Sequence, residues 1–212
     1  MTRNRTAKEV FEAWGRDHHA DGMENEHWPR VREIFDRITP SDDDYLEIGV
    51  GNGYGLAHMA TRQFRNGRCL GMDLSASMVE RARVRTRELA NVEVVVGDFL
   101  SWDFGDRRFG TIFSMEVFYY FPDVNEGIAK AWSLLVPGGR LLVAVNFYQE
   151  NARSADWPDR LGTPMQRWSA GEYVEGFRRA GFTSVESCRI ATPLPQGSVH
   201  GDAPTLLTLG VR

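Results

Sequence analysis

Cysteine is scarce in this chain of 212 residues, where Cys69 and Cys188 are the only two. Two thiols make neither a disulfide framework nor a zinc site. Both fall in strand-like runs, where a buried thiol is expected. Long apolar runs are also missing: none reaches the ~18 residues that suggest a membrane span. The opening MTRNRTAKEV has no apolar core and no signal-peptide cleavage pattern, so a cytoplasmic setting is expected. There is no surplus of positive charge. The 25 Lys+Arg against 29 Asp+Glu give a net charge of −4, which speaks against a broad nucleic-acid-binding surface. No His or Cys pair stands at i,i+4 beside a carboxylate, so no metal is expected. Oligomeric state has no signature here. What is present, 42% hydrophobic and 25% charged residues, fits one globular domain able to bury a core without staples.

Short apolar runs alternate with amphipathic helical patterns, which points to an α/β fold with a mainly parallel sheet. Residues 1–40 read as a helical leader, with helices over 6–16 and 24–38. In the second, Trp28, Val31, Ile34, Phe35 and Ile38 recur at helical spacing. The polar stretch between them, DHHADGMENEH, is a candidate mobile loop able to close as a lid. Residues 41–212 form the main domain. Strands are expected at 45–50, 68–72, 92–96, 110–115 and 140–145. Helices follow the first, second and fourth, with Ser75 as a cap and Asp123 with Glu126 as a capping-box-like start. Pro137-Gly138-Gly139 reads as a breaker. Residues 147–168 show no clear period, and so long a connection is usually functional. Ser169 and Glu172 form a capping box for a last helix. Two strands, 184–190 and 205–211, close the sheet as an antiparallel pair. The expected architecture is a Rossmann-like, doubly wound, mainly parallel sheet of seven strands with an antiparallel last strand.

The first strand runs into Glu47-Ile48-Gly49-Val50-Gly51-Asn52-Gly53. Glycines let the chain turn tightly and approach a ligand without a Cβ in the way. In a doubly wound sheet such a turn lies beside the point where strand order reverses, where these folds bind ligands. A dinucleotide fingerprint needs G-x-G-x-x-G/A. Here the sixth position is Tyr54 counting from Gly49, or Leu56 counting from Gly51, and both registers fail. A phosphate-binding loop with Gly-Lys-Ser/Thr is absent as well. Glu47 suits a cationic ligand better than a pyrophosphate. Asp73 ends the second strand, where a carboxylate can accept both ribose hydroxyls. Asp98 ends the third and can accept from an exocyclic amine. As helix caps alone, Asp73 and Asp98 would need no ligand. Their joint placement favours a nucleoside carrying positive charge.

With DYLEIGVGNGYG, CLGMDLSASMVERA, VEVVVGDFLSWDF, FGTIFSMEVFYYFPD and LLVPGGRLLVA in this order, the chain resembles the class I S-adenosylmethionine-dependent methyltransferases. It is most similar to the small-molecule branch that includes quinone-biosynthesis methyltransferases. The resemblance covers residues 43–146 closely and continues weakly to 182. It implies S-adenosyl-L-methionine as cofactor, with S-adenosyl-L-homocysteine as product. It places Glu47, Gly49, Gly51 and Gly53 around the methionine part and Asp73 at the ribose. Leu74 and Met78 would flank the adenine, with Asp98 and Phe99 at its edge. Ser114, Met115 and Glu116 would line the cofactor and face the acceptor.

A sulfonium methyl donor is already activated, so positioning can carry most of the catalysis, and a base is needed only for a protonated nucleophile. His19, Glu116 and Tyr119 are the candidate catalytic residues. The acceptor, expected to be a small molecule, would be held by Trp14, Met23, His27, Glu116, Tyr120 and Tyr148, with His18, Glu150 and Trp157 as further candidates. The bland alternatives are concrete. The leader histidines read first as surface groups. The Phe118–Phe121 run can simply pack the sheet edge. Arg81, Arg83, Arg85 and Arg87 read as a solvated helix surface. A nicotinamide-dependent oxidoreductase and a non-catalytic S-adenosylmethionine-binding regulator are the competing functions. The Met115-Glu116-Val117-Phe118 stretch lacks the Asn/Asp-Pro-Pro-aromatic pattern of enzymes that methylate DNA amines.

Overall fold

The computed structural model describes residues 5–17, 19–194, 196 and 203–212. Seven strands lie in the order β3-β2-β1-β4-β5-β7-β6. They are β1 Tyr45–Ile48, β2 Cys69–Asp73, β3 Val92–Val96, β4 Phe109–Met115, β5 Leu135–Val145, β6 Thr183–Ile190 and β7 Thr205–Val211. β1 through β5 pair in parallel, while β7 inserts antiparallel between β5 and β6. Strand order reverses between β1 and β4, which opens a crevice at their carboxyl ends.

Alternation along the central strands builds a core on each face. Leu46, Ile48, Ile112, Leu141 and Val143 turn to one side, where α5 (Val124–Leu134) and α7 (Ala170–Ala180) cover them. Tyr45, Phe113, Leu142 and Ala144 turn to the other. There they meet α3 (Tyr54–Arg62), α4 (Ala76–Thr86) and the end of α2 (His19–Phe35). Val31, Ile34, Phe35 and Ile38 are all buried, so the helical spacing read from the leader is the face that docks.

The caps explain most helix boundaries. Ser75 accepts from the Met78 amide, and Ser169 with Glu172 forms a complete capping box. Gly181 closes α7 at φ 100°, a conformation that favours glycine. Thr6 and Glu9 form a second capping box that opens α1 (Ala7–Gly15). At α5 the expectation is only half met: Asp123 accepts from Asn125, with no reciprocal bond from Glu126.

Several expectations are corrected. The polar leader loop is shorter, because α2 already starts at His19. Its polar side faces the main domain's own charges. Glu24 accepts from Asn52 at 3.0 Å and pairs with Arg85 at 2.5 Å. Glu12 of α1 caps the α4 N-terminus through Ser75 and Ser77, and Arg81 donates to the carbonyls of Gly15 and Asp17. Arg81 and Arg85 thus fasten the leader instead of lining a solvated surface. Pro137-Gly138-Gly139 does not break β5; it forms a bulge opposite Phe109–Thr111. Residues 147–168 hold a 3-10 turn at Ala152–Ser154 and the short helix α6 (Trp157–Leu161). Cys69 is buried as expected, but Cys188 is exposed because β6 is an edge strand.

Glu24 ties the leader to the glycine turn, so its removal should loosen the leader. Glu24→Ala is expected to speed amide exchange across the first turns of α2 and to hasten release of any ligand held at the glycine turn. Exchange mass spectrometry and stopped-flow release check this; unchanged rates for both would remove Glu24 as the clasp.

Candidate active site

The carboxyl ends of β1, β2 and β4 and the leader enclose a cavity of about 270 Å³. Its floor is the turn after β1, where Gly49 and Gly51 hold φ 76° and 54°. At Gly49 a Cβ would fall 2.1 Å from Val117 Cγ2, whereas at Gly51 it would meet nothing within 4 Å. The backbone therefore faces open space at Gly51 and is pressed against the chain after β4 at Gly49.

Glu47 stands at the end of β1, buried, and accepts from the Tyr45 hydroxyl at 3.1 Å. Gly55 makes room for it. A Cβ there would lie 2.6 Å from Glu47 Oε1. Sequence reading did not assign Gly55 a role; the available signal was a glycine directly inside the helix that follows the turn. Asp73 accepts from the Gly51 amide at 3.0 Å with one oxygen and from the Ser75 amide at 2.9 Å with the other. Each carboxylate oxygen has capacity for a further donor. Leu74, Met78, Asp98 and Phe99 also line the cavity, as do Met115 and Glu116. Asp98 accepts from the Leu100 amide and the Ser101 hydroxyl, and it is exposed.

Two expected residues lie elsewhere. Ser114 is buried inside the sheet and donates to the Ile48 carbonyl at 3.1 Å, so it ties β4 to β1. Gly53 begins α3 at φ 83°, and a Cβ there would lie 2.9 Å from Ala82 Cα. Its small size serves the approach of α3 to α4.

A second cavity of about 380 Å³ adjoins the first. Phe11, Met23, His27, Glu116 and Tyr120 line both. Trp14, Tyr119 and Trp157 line the second, with Glu26 and Arg160. His27 is buried between the two, contrary to the surface reading. Tyr148 is corrected out of the acceptor set: it is buried in the core and donates to the Pro204 carbonyl at 2.9 Å. Glu150 accepts from the Ala170 amide, at the start of α7. His18 lies outside the described residues, as does the side chain of His19, whose backbone begins α2.

Glu116 sits where the cavities meet. Its φ of 60° is a left-handed conformation, which costs a non-glycine residue about 1–3 kcal/mol and recurs at functional sites. Its carboxylate accepts from the Tyr119 hydroxyl at 2.8 Å and from the Asn146 amide.

Burial disfavours charge on these acids. It pushes Glu47 up to about 8, Glu116 to about 7 and Asp73 to about 6, with the hydrogen bonds to each opposing the shift. In the unfolded chain such groups titrate near ~4. Between those values the ligand-free fold holds more protons than the unfolded chain, so stability falls as pH rises from about 4 to 8. A cationic ligand favours the ionised carboxylates. Its affinity should therefore rise between about pH 6 and 8, with proton release on binding. Calorimetry in buffers of different ionisation heat measures this; a pH-independent affinity with no proton release would contradict it. Among the described residues no Lys or Arg lines this first cavity. A pyrophosphate would sit there among carboxylates, which argues against a dinucleotide.

These features, an acidic floor, a glycine turn and a carboxylate at the end of β2, fit a positively charged nucleoside. Residues 46–139 match the methyltransferase domain family. The chain is similar throughout to one from the complex between the Haloferax volcanii Trm112 methyltransferase activator and a methyltransferase. That match has a TM-score of 0.86 and 32% identity and covers 98% of both chains. The N-methyltransferase NodS of Bradyrhizobium japonicum, solved with S-adenosyl-L-homocysteine, shares the fold at TM-score 0.70 and 18% identity, covering 98% of this chain and 99% of that one. Phthiotriol/phenolphthiotriol dimycocerosates methyltransferase 1 of Mycobacterium ulcerans is 26% identical, over 78% of this chain and 61% of its own length. This chain spans only 32% to 61% of the first curated relatives it matches. The chain belongs to the class I S-adenosylmethionine-dependent methyltransferases.

Proposed function

We propose that the chain moves a methyl group from S-adenosyl-L-methionine to a small-molecule acceptor by in-line displacement. The observation that carries this reading is the pair of adjoining cavities with Glu116 at their junction. The cofactor, when bound, supplies a methyl group activated on a sulfonium. Asp73 would hold the ribose hydroxyls, and Glu47 the ammonium end of the methionine part. Leu74, Met78 and Phe99 would enclose the adenine, with Asp98 at its amine. Gly51 brings bare backbone to the cofactor. The leader excludes water, since Phe11, Met23 and His27 of α1 and α2 roof the crevice. Fixing the acceptor close to the methyl carbon in line with the breaking bond can contribute ~7–11 kcal/mol in the best cases.

The second cavity is the acceptor chamber in this reading. Its aromatic walls suit an apolar or planar body. A screen of metabolite extracts for transfer of a labelled methyl group tests the reading. Labelled product together with S-adenosyl-L-homocysteine is the expected result. Cofactor binding without turnover across such screens would favour the non-catalytic regulator, and a titration of reduced nicotinamide by fluorescence tests the oxidoreductase.

The Haloferax volcanii relative was solved with an activator protein, which supports a protein partner for this chain too. Among the described residues the outer edge of β3 is unpaired, and Val84 and Val96 are the exposed large hydrophobic ones. An open edge of that kind is suited to strand addition. No helix among the described residues is long and apolar enough to cross a membrane. A cytoplasmic setting belongs to the same proposal.

A further inference from the structure

The acceptor chamber combines two features that the transfer of a methyl group does not by itself require. One is a set of aromatic faces at right angles. Phe11 meets Trp14 at 86° with ring centroids 5.4 Å apart, and meets Tyr120 at 90° and 5.3 Å. Tyr119 and Tyr120 stand 4.5 Å apart at 49°. All four rings line the chamber, and aromatic ring faces attract cations. The other feature is the Glu116 carboxylate, held at the inner end of that volume by a strained backbone and two hydrogen bonds. Each of its oxygens accepts one bond and has capacity for another. Glu26 is a second carboxylate on the chamber wall, and Arg160 is an exposed cation on its lining.

On the reading of this chain as a methyltransferase, we propose that the chamber takes a primary or secondary amine on an apolar body. The ammonium rests against Glu116 and the Phe11, Trp14 and Tyr120 rings, and Glu116 accepts the proton that the nitrogen must lose before it can attack. The balance is simple. The ammonium N–H bond breaks and its proton goes to a Glu116 oxygen. The freed nitrogen pair forms the new bond to the methyl carbon, and the pair of the broken carbon–sulfur bond stays on sulfur. The methylated nitrogen is again cationic, and Glu116 returns its proton to solvent. Burial supports the role, since it brings the carboxyl to about 7, suited to proton exchange near neutrality. The groups that share its surroundings are Arg30 and His27 of α2, Tyr54 of α3, Tyr119 and Tyr120, and Tyr173 of α7. Arg30 is the one fixed cation among them. It is turned to the Thr192 and Ala203 carbonyls and the Thr205 hydroxyl.

The test is a binding comparison that needs no turnover. With S-adenosyl-L-homocysteine saturating, benzylamine, benzyltrimethylammonium and benzyl alcohol are titrated near neutral pH, with Trp14 and Trp157 as fluorescent reporters. Both cations should bind at least about tenfold more tightly than the alcohol, the scale of a cation held by rings and a carboxylate. In Glu116→Gln that preference should fall at least about threefold, the rings keeping the remainder. Equal affinity of the alcohol and the amines in the native chain would overturn the proposal, whether or not the variant folds. So would an undiminished preference in a folded Glu116→Gln. A separate titration with S-adenosyl-L-homocysteine alone keeps the two readings apart. Cofactor product bound without amine preference sinks only the acceptor assignment, whereas no cofactor binding sinks the methyltransferase reading and this proposal with it.

Discussion

Asp73→Ala is expected to weaken S-adenosyl-L-methionine binding by about 1.5–3 kcal/mol, the worth of hydrogen bonds to a charged group. That is a dissociation constant raised roughly 10- to 150-fold. Its position is the cause. The carboxylate ends β2 beside the crevice, and its two oxygens are oriented by the Gly51 and Ser75 amides. Asp73 therefore joins the glycine turn to the start of α4 and presents its remaining lone pairs to the cavity. Part of the loss will come from the turn itself, because alanine also releases those amides. Comparing unfolding temperatures without ligand separates that part from the lost contact. Calorimetric titration measures the whole, and an unchanged dissociation constant would remove Asp73 from the site.

Gly53→Ala is expected to act on stability. The residue begins α3 at φ 83°, and its Cβ would come within 2.9 Å of Ala82 backbone on α4. A left-handed alanine costs about 1–2 kcal/mol, and forcing two packed helices apart costs about 1–3 kcal/mol more. The unfolding temperature should fall by about 5–15 °C. Gly51→Ala carries the same left-handed cost, since φ there is 54°, but adds no clash between helices. Its Cβ would meet no protein atom within 4 Å, but it would enter the lining of the cavity. It should cost less stability than Gly53→Ala and depress cofactor affinity more. Thermal unfolding and calorimetry on the two variants check the contrast. Equal effects of both substitutions on both readouts would show that the glycine turn does not divide its work this way.

The contrast also marks how far the sequence could be read. Gly49, Gly51 and Gly53 look alike in a spacing pattern, since glycine has no side chain to say what approaches it. Only the neighbours distinguish them: Val117 at Gly49, open cavity at Gly51, Ala82 at Gly53. The strands and the helices α3, α4, α5 and α7 were legible because burial on a known face imposes a period on the chain. Glu47 and Asp73 were legible because strand ends converge in a doubly wound sheet. Ser114 was not, since alternation along β4 does not reveal that its hydroxyl turns to the Ile48 carbonyl. The beginning of α2 escaped for a related reason. Its polar residues pair with charges on α4 and with Asn52, so its burial carries no apolar pattern. Of His27 and Tyr148, both named for the acceptor, only His27 lines the cavities, whereas Tyr148 lies in the core. Both outcomes depend on how distant segments dock.

A crystal structure with S-adenosyl-L-homocysteine decides where the nucleoside sits. The nucleoside is expected in the crevice between β1 and β4, with its ribose hydroxyls within hydrogen-bond distance of Asp73 and its amino-acid end toward Glu47. Density for the ligand at any other place, or a crevice that stays filled by leader side chains while the ligand is bound elsewhere, would contradict it.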